Sequence, residues 1–378
     1  MSLANERFSL ISFSLILILG SIGNALVIYV YGIAGNERRR RFMKFERLML
    51  MLGVVDFVAS ITNPLYYIYM IVRKNDFNMG ETMCKIIPTL GPLFTMISLG
   101  IILIMAIDRD RAVATPFKPQ FNLKSIYKAV ALTVLLCVLT ITPYVYKLKI
   151  QNYFNRRICA PVSDTEYNIF AICLFLSSDL IFLTIFVVTT FRIFRKLKTK
   201  DTIECPKMKQ HRAKETNRIL KIITSMGVLF ICCVFPRDLL LTSFSFSTLI
   251  PPPVDYAIAA DANLVLKVLH TFNSCVNVIL YSLLNKKFRK SVLKLFMKSK
   301  TFSSLYLKKY PTLGRDTDSY DSSQTHGTLT RSPSVTPRTS PRGSPRTSLI
   351  ANMNSDKKCS QTLLKHVLTK PLYMESKN

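Results

Sequence analysis

Seven apolar stretches, near residues 8 to 31, 46 to 72, 83 to 107, 126 to 146, 167 to 191, 218 to 246 and 262 to 284, are each long enough as a helix to cross a hydrocarbon core of about 30 Å. No other feature of the chain narrows its fold so far. Inside lipid, backbone N–H and C=O groups find no water, so a spanning segment of this length satisfies them as a helix. The expectation is an all-α membrane protein, a seven-transmembrane helix bundle. Composition agrees: 49% of the 378 residues are hydrophobic, more apolar surface than an ordinary soluble domain hides.

Charge locates the chain in the membrane. There are 51 Lys and Arg against 22 Asp and Glu, a net charge of +29 that by itself would suit a nucleic-acid binder. The basic residues, however, crowd three segments (Arg38 to Arg41 with Lys44 and Arg47, Arg192 to Lys221, and Lys286 to Lys300) that flank apolar stretches. They form no single groove-facing element, which argues against nucleic acid. Short loops rich in Lys and Arg stay in the cytoplasm, so these segments mark the inner face. The opposite loops are mixed in sign, with Arg73, Lys74, Asp76 and Glu81 in one, Lys147, Lys149, Arg156, Arg157, Asp164 and Glu166 in the next, and Asp255 in the third. An odd number of crossings then leaves residues 1–7 outside as a short extracellular amino terminus. The first run is long and no small-residue cleavage site follows it, so it reads as a true span and not a signal peptide.

After the seventh run, Asn285 to Phe296 places Phe288, Val292, Leu295 and Phe296 on one helical face and cations on the other, which predicts a short amphipathic eighth helix on the inner leaflet. The membrane-embedded region with its eighth helix thus covers residues 8–298. Residues 299–378 are polar and rich in Ser, Thr and Pro, and read as a disordered cytoplasmic tail. Nine cysteines without a CxxC or Cys/His cluster give no metal signature, and four His with no paired acids or nucleophile elbow give no catalytic one. Neither an enzyme nor a bound cofactor is expected.

Several residue patterns at fixed mutual spacing carry more. Gly23-Asn24-x-x-Val27 lies in the first run and Leu52-x-x-x-Asp56 in the second. Cys84 opens the third, which ends in Asp108-Arg109-Asp110 followed by Ala114-Thr-Pro116-Phe. The sixth holds Phe230-x-x-Cys233-x-x-Pro236 and the seventh Asn273-Ser274-Cys275-x-Asn277-x-x-x-Tyr281. In order and spacing these patterns resemble the class A, rhodopsin-like G-protein-coupled receptors across roughly residues 8 to 298.

The resemblance implies roles. Asp56, with Asn24, Ser98, Asn273 and Ser274, would form a polar hub able to hold an allosteric Na+. Asp108, Arg109, Asn277 and Tyr281 would form the switch toward a heterotrimeric G protein, with Asp108 neutralising Arg109 at rest. Cys84 and Cys159 would pair as a disulfide, and Lys147 to Val162 would form a hairpin lid. A carboxylate at the depth of Asp56 is expensive and usually functional. The competing readings are a satisfied polar cluster that glues helices together, and for Arg109 a plain charge pair at a helix end. Ser332-Pro333, Thr336-Pro337, Ser340-Pro341 and Ser344-Pro345 repeat a unit that proline-directed kinases phosphorylate, which would favour arrestin, although low complexity explains the composition equally well.

The ligand side is read the same way. The pocket expected from the resemblance is lined by Gly91, Thr95, Arg237, Asp238, Lys267 and Thr271. Gly91 stands where aminergic receptors carry an Asp and Thr271 where opsins carry a Lys, so neither a monoamine nor retinal is expected. Arg237 and Asp238 lie about 13 Å below the outer end of the sixth helix, and Lys267 roughly 15 Å outward of Asn277, from the helical rise of 1.5 Å per residue. At such depths an anionic group, such as a peptide carboxylate, would suit Arg237 and Lys267, and a cation or another helix would suit Asp238. A peptide is therefore the expected ligand and the plasma membrane the expected site.

Departures from the family pattern are several. The chain has no Trp, Val234 replaces the aromatic switch of the sixth helix, Val278 stands for the seventh-helix Pro, and Asp110 for the Tyr after Arg109. Aligned on Ile193 and Leu197, Phe182 takes the fifth-helix Pro position and Thr190 that of a supporting Tyr, while Thr216 replaces an acid beside Glu215. These leave two rival readings: a seven-helix decoy or scavenger that binds without signalling, and a transporter or channel, against which the lack of repeated halves speaks.

Overall fold

The computed structural model describes residues 3–33, 44–114, 121–153, 156–198, 206–249 and 256–297. The Arg38 to Arg41 block, Pro116, Phe154, Asp255 and the Ser/Thr-Pro tail lie outside these residues, as do the side chains of Glu215, Thr216, Leu197 and Phe296. The chain divides into two compact units, a bundle of Met1–Asp201 with His211–Ser303, and a second of which only residues 206–210 are described.

Helices α1 (Leu3–Ile28), α2 (Lys44–Val72), α3 (Gly80–Ala114), α4 (Leu123–Lys147), α5 (Thr165–Lys198), α6 (Pro206–Leu249) and α7 (Tyr256–Leu284) form the bundle, and α8 (Lys286–Met297) follows after Asn285. Six of the seven expected runs lie within one of them and the first runs from α1 into the turn that follows it, and all seven spans are long and apolar enough to cross a membrane. The protein is a multi-pass membrane protein. Prolines inside α2, α3, α4 and α6 (Pro64, Pro88, Pro92, Pro143 and Pro236) are tolerated because neighbouring helices support the freed backbone groups. α1 begins at Leu3, earlier than its apolar run, and ends in a π-turn over Tyr29–Ile33.

Helix ends follow local chemistry. α2 stops where Lys74 and Asn75 take φ of 51° and 62°, and the Asn75 N–H turns back to the Met70 carbonyl at 2.7 Å. Asn122 caps α4 by accepting from the Ser125 N–H at 2.7 Å, and Asp164 caps α5 by accepting from the Tyr167 N–H at 2.8 Å. Between α4 and α5, strands β1 (Leu148–Tyr153) and β2 (Arg156–Pro161) pair antiparallel with Ile150 opposite Cys159, the expected hairpin.

α3 packs on α2, α4 and α5, and α1 on α2 and α7. Val27, Leu52, Ile101, Met105, Phe230 and Tyr281 belong to one continuous core. Outward faces remain apolar: Ile18, Leu19, Leu135, Leu139, Leu180 and Phe191 are all exposed, the pattern of a surface solvated by lipid. α6 makes no close backbone approach of any extent to its neighbours among the described residues, and is held by side chains that reach across: Phe182 meets the Phe230 ring at 5.3 Å and the Phe235 ring at 6.4 Å.

Candidate ligand pocket and signalling core

Asp56 sits on the bundle-facing side of α2 and is 1% exposed. One carboxylate oxygen accepts from the Ser98 hydroxyl at 2.8 Å and the other from the Asn277 amide at 2.7 Å, so a single acid joins α2, α3 and α7. Asn24 extends the cluster to α1, donating to the Ser274 carbonyl at 2.9 Å and the Gly20 carbonyl at 3.0 Å. Asn273 and Ser274 are buried beside it. The close approach depends on glycine: a Cβ on Gly23 would meet Val278 Cγ1 at 2.7 Å, and one on Gly20 the Ser60 Cβ at 2.7 Å. Val278, the residue in place of the family's proline, thus packs on the motif glycine of α1.

At the end of the bundle opposite the hairpin, Asp108 is 2% exposed and binds the Arg109 guanidinium at 2.5 Å through one nitrogen and 3.2 Å through Nε. Arg109 also lies 5.8 Å from the centre of the Phe45 ring. The neighbouring Asp110 meets Arg192 of α5 at 3.4 Å. Tyr281 is fully buried, edge-on to the rings of Tyr31 and Phe288.

A second tie at this end has no counterpart among the sequence motifs. Arg218 of α6 donates through Nε to the Leu284 carbonyl at 3.1 Å and through a terminal nitrogen to Asn285 Oδ1 at 2.5 Å. The Asn285 amide in turn donates to the Tyr31 hydroxyl at 2.7 Å. Asn285 Oδ1 also receives the Lys287 and Phe288 N–H groups at 3.1 and 3.3 Å, capping α8. One asparagine therefore links α6, the α7 to α8 junction and the π-turn of α1.

A cavity of about 800 Å³ opens among α3, α4, α5, α6 and α7, running from Pro161 beside the hairpin along α3 as far as Ile107. Thr95, Arg237 and Asp238, expected to line a pocket, do so. Gly91, Lys267 and Thr271 do not line this cavity. Gly91 faces Asn63, Thr271 is 1% exposed and donates to the Lys267 carbonyl at 2.7 Å, and the Lys267 ammonium lies 5.5 Å from the centre of the Tyr67 ring. Asp179 of α5 and His270 of α7 line the cavity and belong to none of the sequence motifs, although a carboxylate inside an apolar run is itself a signal. Val234 lines it as well, in the place of the family's aromatic switch.

The lid is tied down covalently. Cys84 at the start of α3 and Cys159 on β2 form the expected disulfide, with a Cα separation of 5.6 Å. Lys147 pairs with Asp164 across the base of the hairpin. Asp76 in the turn after α2 accepts from the Arg157 N–H at 3.0 Å; that bond, with the Arg157 and Arg73 guanidiniums, holds its carboxyl below the ordinary value of 3.8. Lys147 and the Tyr167 N–H lower Asp164 likewise.

The family model for seven-transmembrane receptors of the rhodopsin family matches residues 23–281, a stretch that takes in every motif from Gly23 to Tyr281. The chain belongs to that family. Among similar proteins, galanin receptor type 2 of Rattus norvegicus is 28% identical over 288 residues, covering 75% of this chain and 74% of that receptor. Neuropeptide FF receptor 2 of Mus musculus is 25% identical over 301 residues, covering 74% and 70%. Melanin-concentrating hormone receptor 1 of Sus scrofa is 27% identical over 286 residues, covering 74% and 78%. This rhodopsin-family receptor carries no metal-ligating cluster of His, Cys, Asp or Glu among its described residues.

Proposed function

We propose that the protein is a plasma-membrane receptor, with its amino terminus and hairpin outside, that binds an extracellular peptide and activates heterotrimeric G proteins. The observation that carries this reading is that one helix bundle holds the cavity, the buried Asp56 hub and the Asp108–Arg109 pair. The cavity abuts α6 and α7, α7 reaches Asp56 through Asn277, and the core ends at the paired Asp108 and Arg109. A guanidinium held by an adjacent acid is an element with two discrete arrangements, which a switch needs. The hairpin over the cavity, and the peptide names of the similar receptors, support a peptide ligand.

Two further parts belong to the proposal. The Asp56 hub would hold Na+: two carboxylate oxygens, the Ser98 hydroxyl and Asn24 Oδ1, which is buried without a hydrogen-bond partner, are the oxygen donors a hard cation takes. The Ser/Thr-Pro tail would recruit kinases and arrestin once phosphorylated. The reading is tested by nucleotide exchange on purified heterotrimeric G proteins, with receptor in lipid nanodiscs. Exchange above that of empty nanodiscs, abolished by Arg109→Ala, is expected. No exchange with any G protein, basal or in the presence of a peptide that binds, would leave a binding protein that does not signal.

A further inference from the structure

Two carboxylates from neighbouring helices face the same cavity. Asp179 on α5 and Asp238 on α6 both line it and lie within electrostatic reach of one another. Among the described residues neither carboxylate has a hydrogen bond or an ion pair. Arg237, the preceding residue, forms no ion pair with Asp238; its charge reaches Asp238 and also Tyr66, Tyr144, Lys267 and His270. Consecutive side chains on a helix point about 100° apart, so the acid and the base of this dipeptide address different sides of the pocket.

A pair of acids in an apolar cavity is unfavourable twice over, through lost hydration and through mutual repulsion. Both costs fall when a cation sits between them. A second observation shows that the cavity presents unpaired polar groups. His270 is 5% exposed, lines the same space, and its imidazole has no hydrogen bond among the described residues. The Nε of Arg237 is likewise buried without a partner. Polar groups of both signs are thus held apart within walls made of residues such as Met96, Leu99, Phe175, Phe182 and Phe230.

We infer that the cavity recognises a guanidinium group, such as an arginine side chain of the ligand, held between Asp179 and Asp238, with Arg237 and His270 taking an acceptor on the same molecule. A guanidinium suits two carboxylates better than an ammonium does: it is planar, offers five donors in a fixed fork, and gives up its hydration more readily. The inference deepens the ligand-pocket reading above and rests on it, but its test involves no G protein, so the two fail separately.

The probe is hexylguanidinium, with hexylammonium, the uncharged hexylurea and the anionic hexanoate as controls, and the full-length receptor in lipid nanodiscs is read by ligand-observed NMR and thermal unfolding. Hexylguanidinium is expected to bind the wild type at least about tenfold more tightly than hexylurea, the ratio of one charge-assisted contact. Asp179→Asn and Asp238→Asn should each erase most of that preference, the double substitution all of it. Arg237→Gln should tighten hexylguanidinium and weaken hexanoate, because it removes a like charge that lines the cavity. Equal binding of hexylguanidinium and hexylurea to the wild type would overturn the inference, as would full preference in the double variant. If the Asn variants are not recovered folded, the wild-type ranking of hexylguanidinium above hexylammonium and hexylurea decides, and any other ranking overturns it.

Discussion

Arg218→Met is expected to open the cytoplasmic end of the receptor without any ligand. In the structure this guanidinium makes two hydrogen bonds, at 3.1 Å to the Leu284 carbonyl and 2.5 Å to Asn285 Oδ1, and these tie α6 to the α7 to α8 junction. Hydrogen bonds to a charged group contribute about 1.5–3 kcal/mol each, and this one is partly exposed, so the pair is worth roughly 1.5–3 kcal/mol together. At about 1.4 kcal/mol per decade, its loss shifts the closed-to-open ratio by roughly 10- to 100-fold. A receptor open about 1% of the time would then be open in the range of about 10–50%. Asn285→Asp should act the other way, since a carboxylate binds the guanidinium more strongly while still capping α8. Basal nucleotide exchange at matched surface expression measures the output, and the distance distribution between spin labels on α6 and α8 measures the tie itself. A loss of G-protein contact at Arg218 would lower exchange but still broaden the distances. If Arg218→Met leaves both unchanged, the contact does not restrain α6 and the reasoning fails.

Asn277→Ala should cost about 1–3 kcal/mol of unfolding free energy, because it leaves Asp56 with Ser98 alone; a double-mutant cycle with Asp56→Asn should be strongly non-additive, and simple additivity would mean the two do not interact. Gly23→Ala should lower the thermal midpoint by driving its new methyl into Val278 at 2.7 Å, and Val278→Ala should recover part of the loss. The hairpin should loosen in acid. Asp76 and Asp164 have carboxyls lowered below 3.8 in the folded protein, so their contribution is fully present above that value and is lost as pH falls through their lowered values. Protection factors against hydrogen exchange at Arg157 and Tyr167, corrected for the intrinsic pH dependence of amide exchange, should fall below about pH 4 and change little between about pH 5 and pH 7, the range above both folded and unfolded carboxyl values.

The parts of this architecture legible in sequence are those whose physics is one-dimensional. Length and hydropathy mark a span, so each of the seven expected runs lies in a helix. A lone acid in lipid demands partners, and the family resemblance names Ser98 and other polar residues at the depth of Asp56, so a hub around Asp56 is legible, with Asn277 joining it in the structure. Position along a helix gives depth, but azimuth is set by packing, which the one-dimensional pattern does not carry. Gly91 and Thr95 are one turn apart with Pro92 between them, yet only Thr95 reaches the cavity. Lys267 and Thr271 have the right depth but are turned toward α2 and the α7 backbone. Asp179 is hidden by the average hydropathy of its run. The tie through Tyr31, Arg218 and Asn285 joins residues 254 and 67 positions apart that belong to no short motif. Polar residues such as Glu6 in the first turn of α1 carry no hydropathy signal, so the helix starts earlier than its apolar run.

One helix carries both ends of the proposed coupling. Arg218 lies at the restrained end of α6, and Arg237 and Asp238 lie in the cavity beside Pro236, about 28 Å away at 1.5 Å per residue. Pro236 leaves one backbone carbonyl unpaired, which makes the segment beside the cavity the natural place for α6 to bend. Moving a receptor from 1:99 to 99:1 open requires a ligand to favour the open form by about 5.5 kcal/mol. The Arg218 tie accounts for roughly 1.5–3 kcal/mol of what holds the closed form, from the two hydrogen bonds to its charged group. The pairing of Asp108 with Arg109 supplies a further restraint on the same surface. A ligand acting on Asp238 therefore needs to gain no more than two or three charge-assisted contacts on bending α6, and the cavity offers that number in Asp179, Asp238 and Arg237.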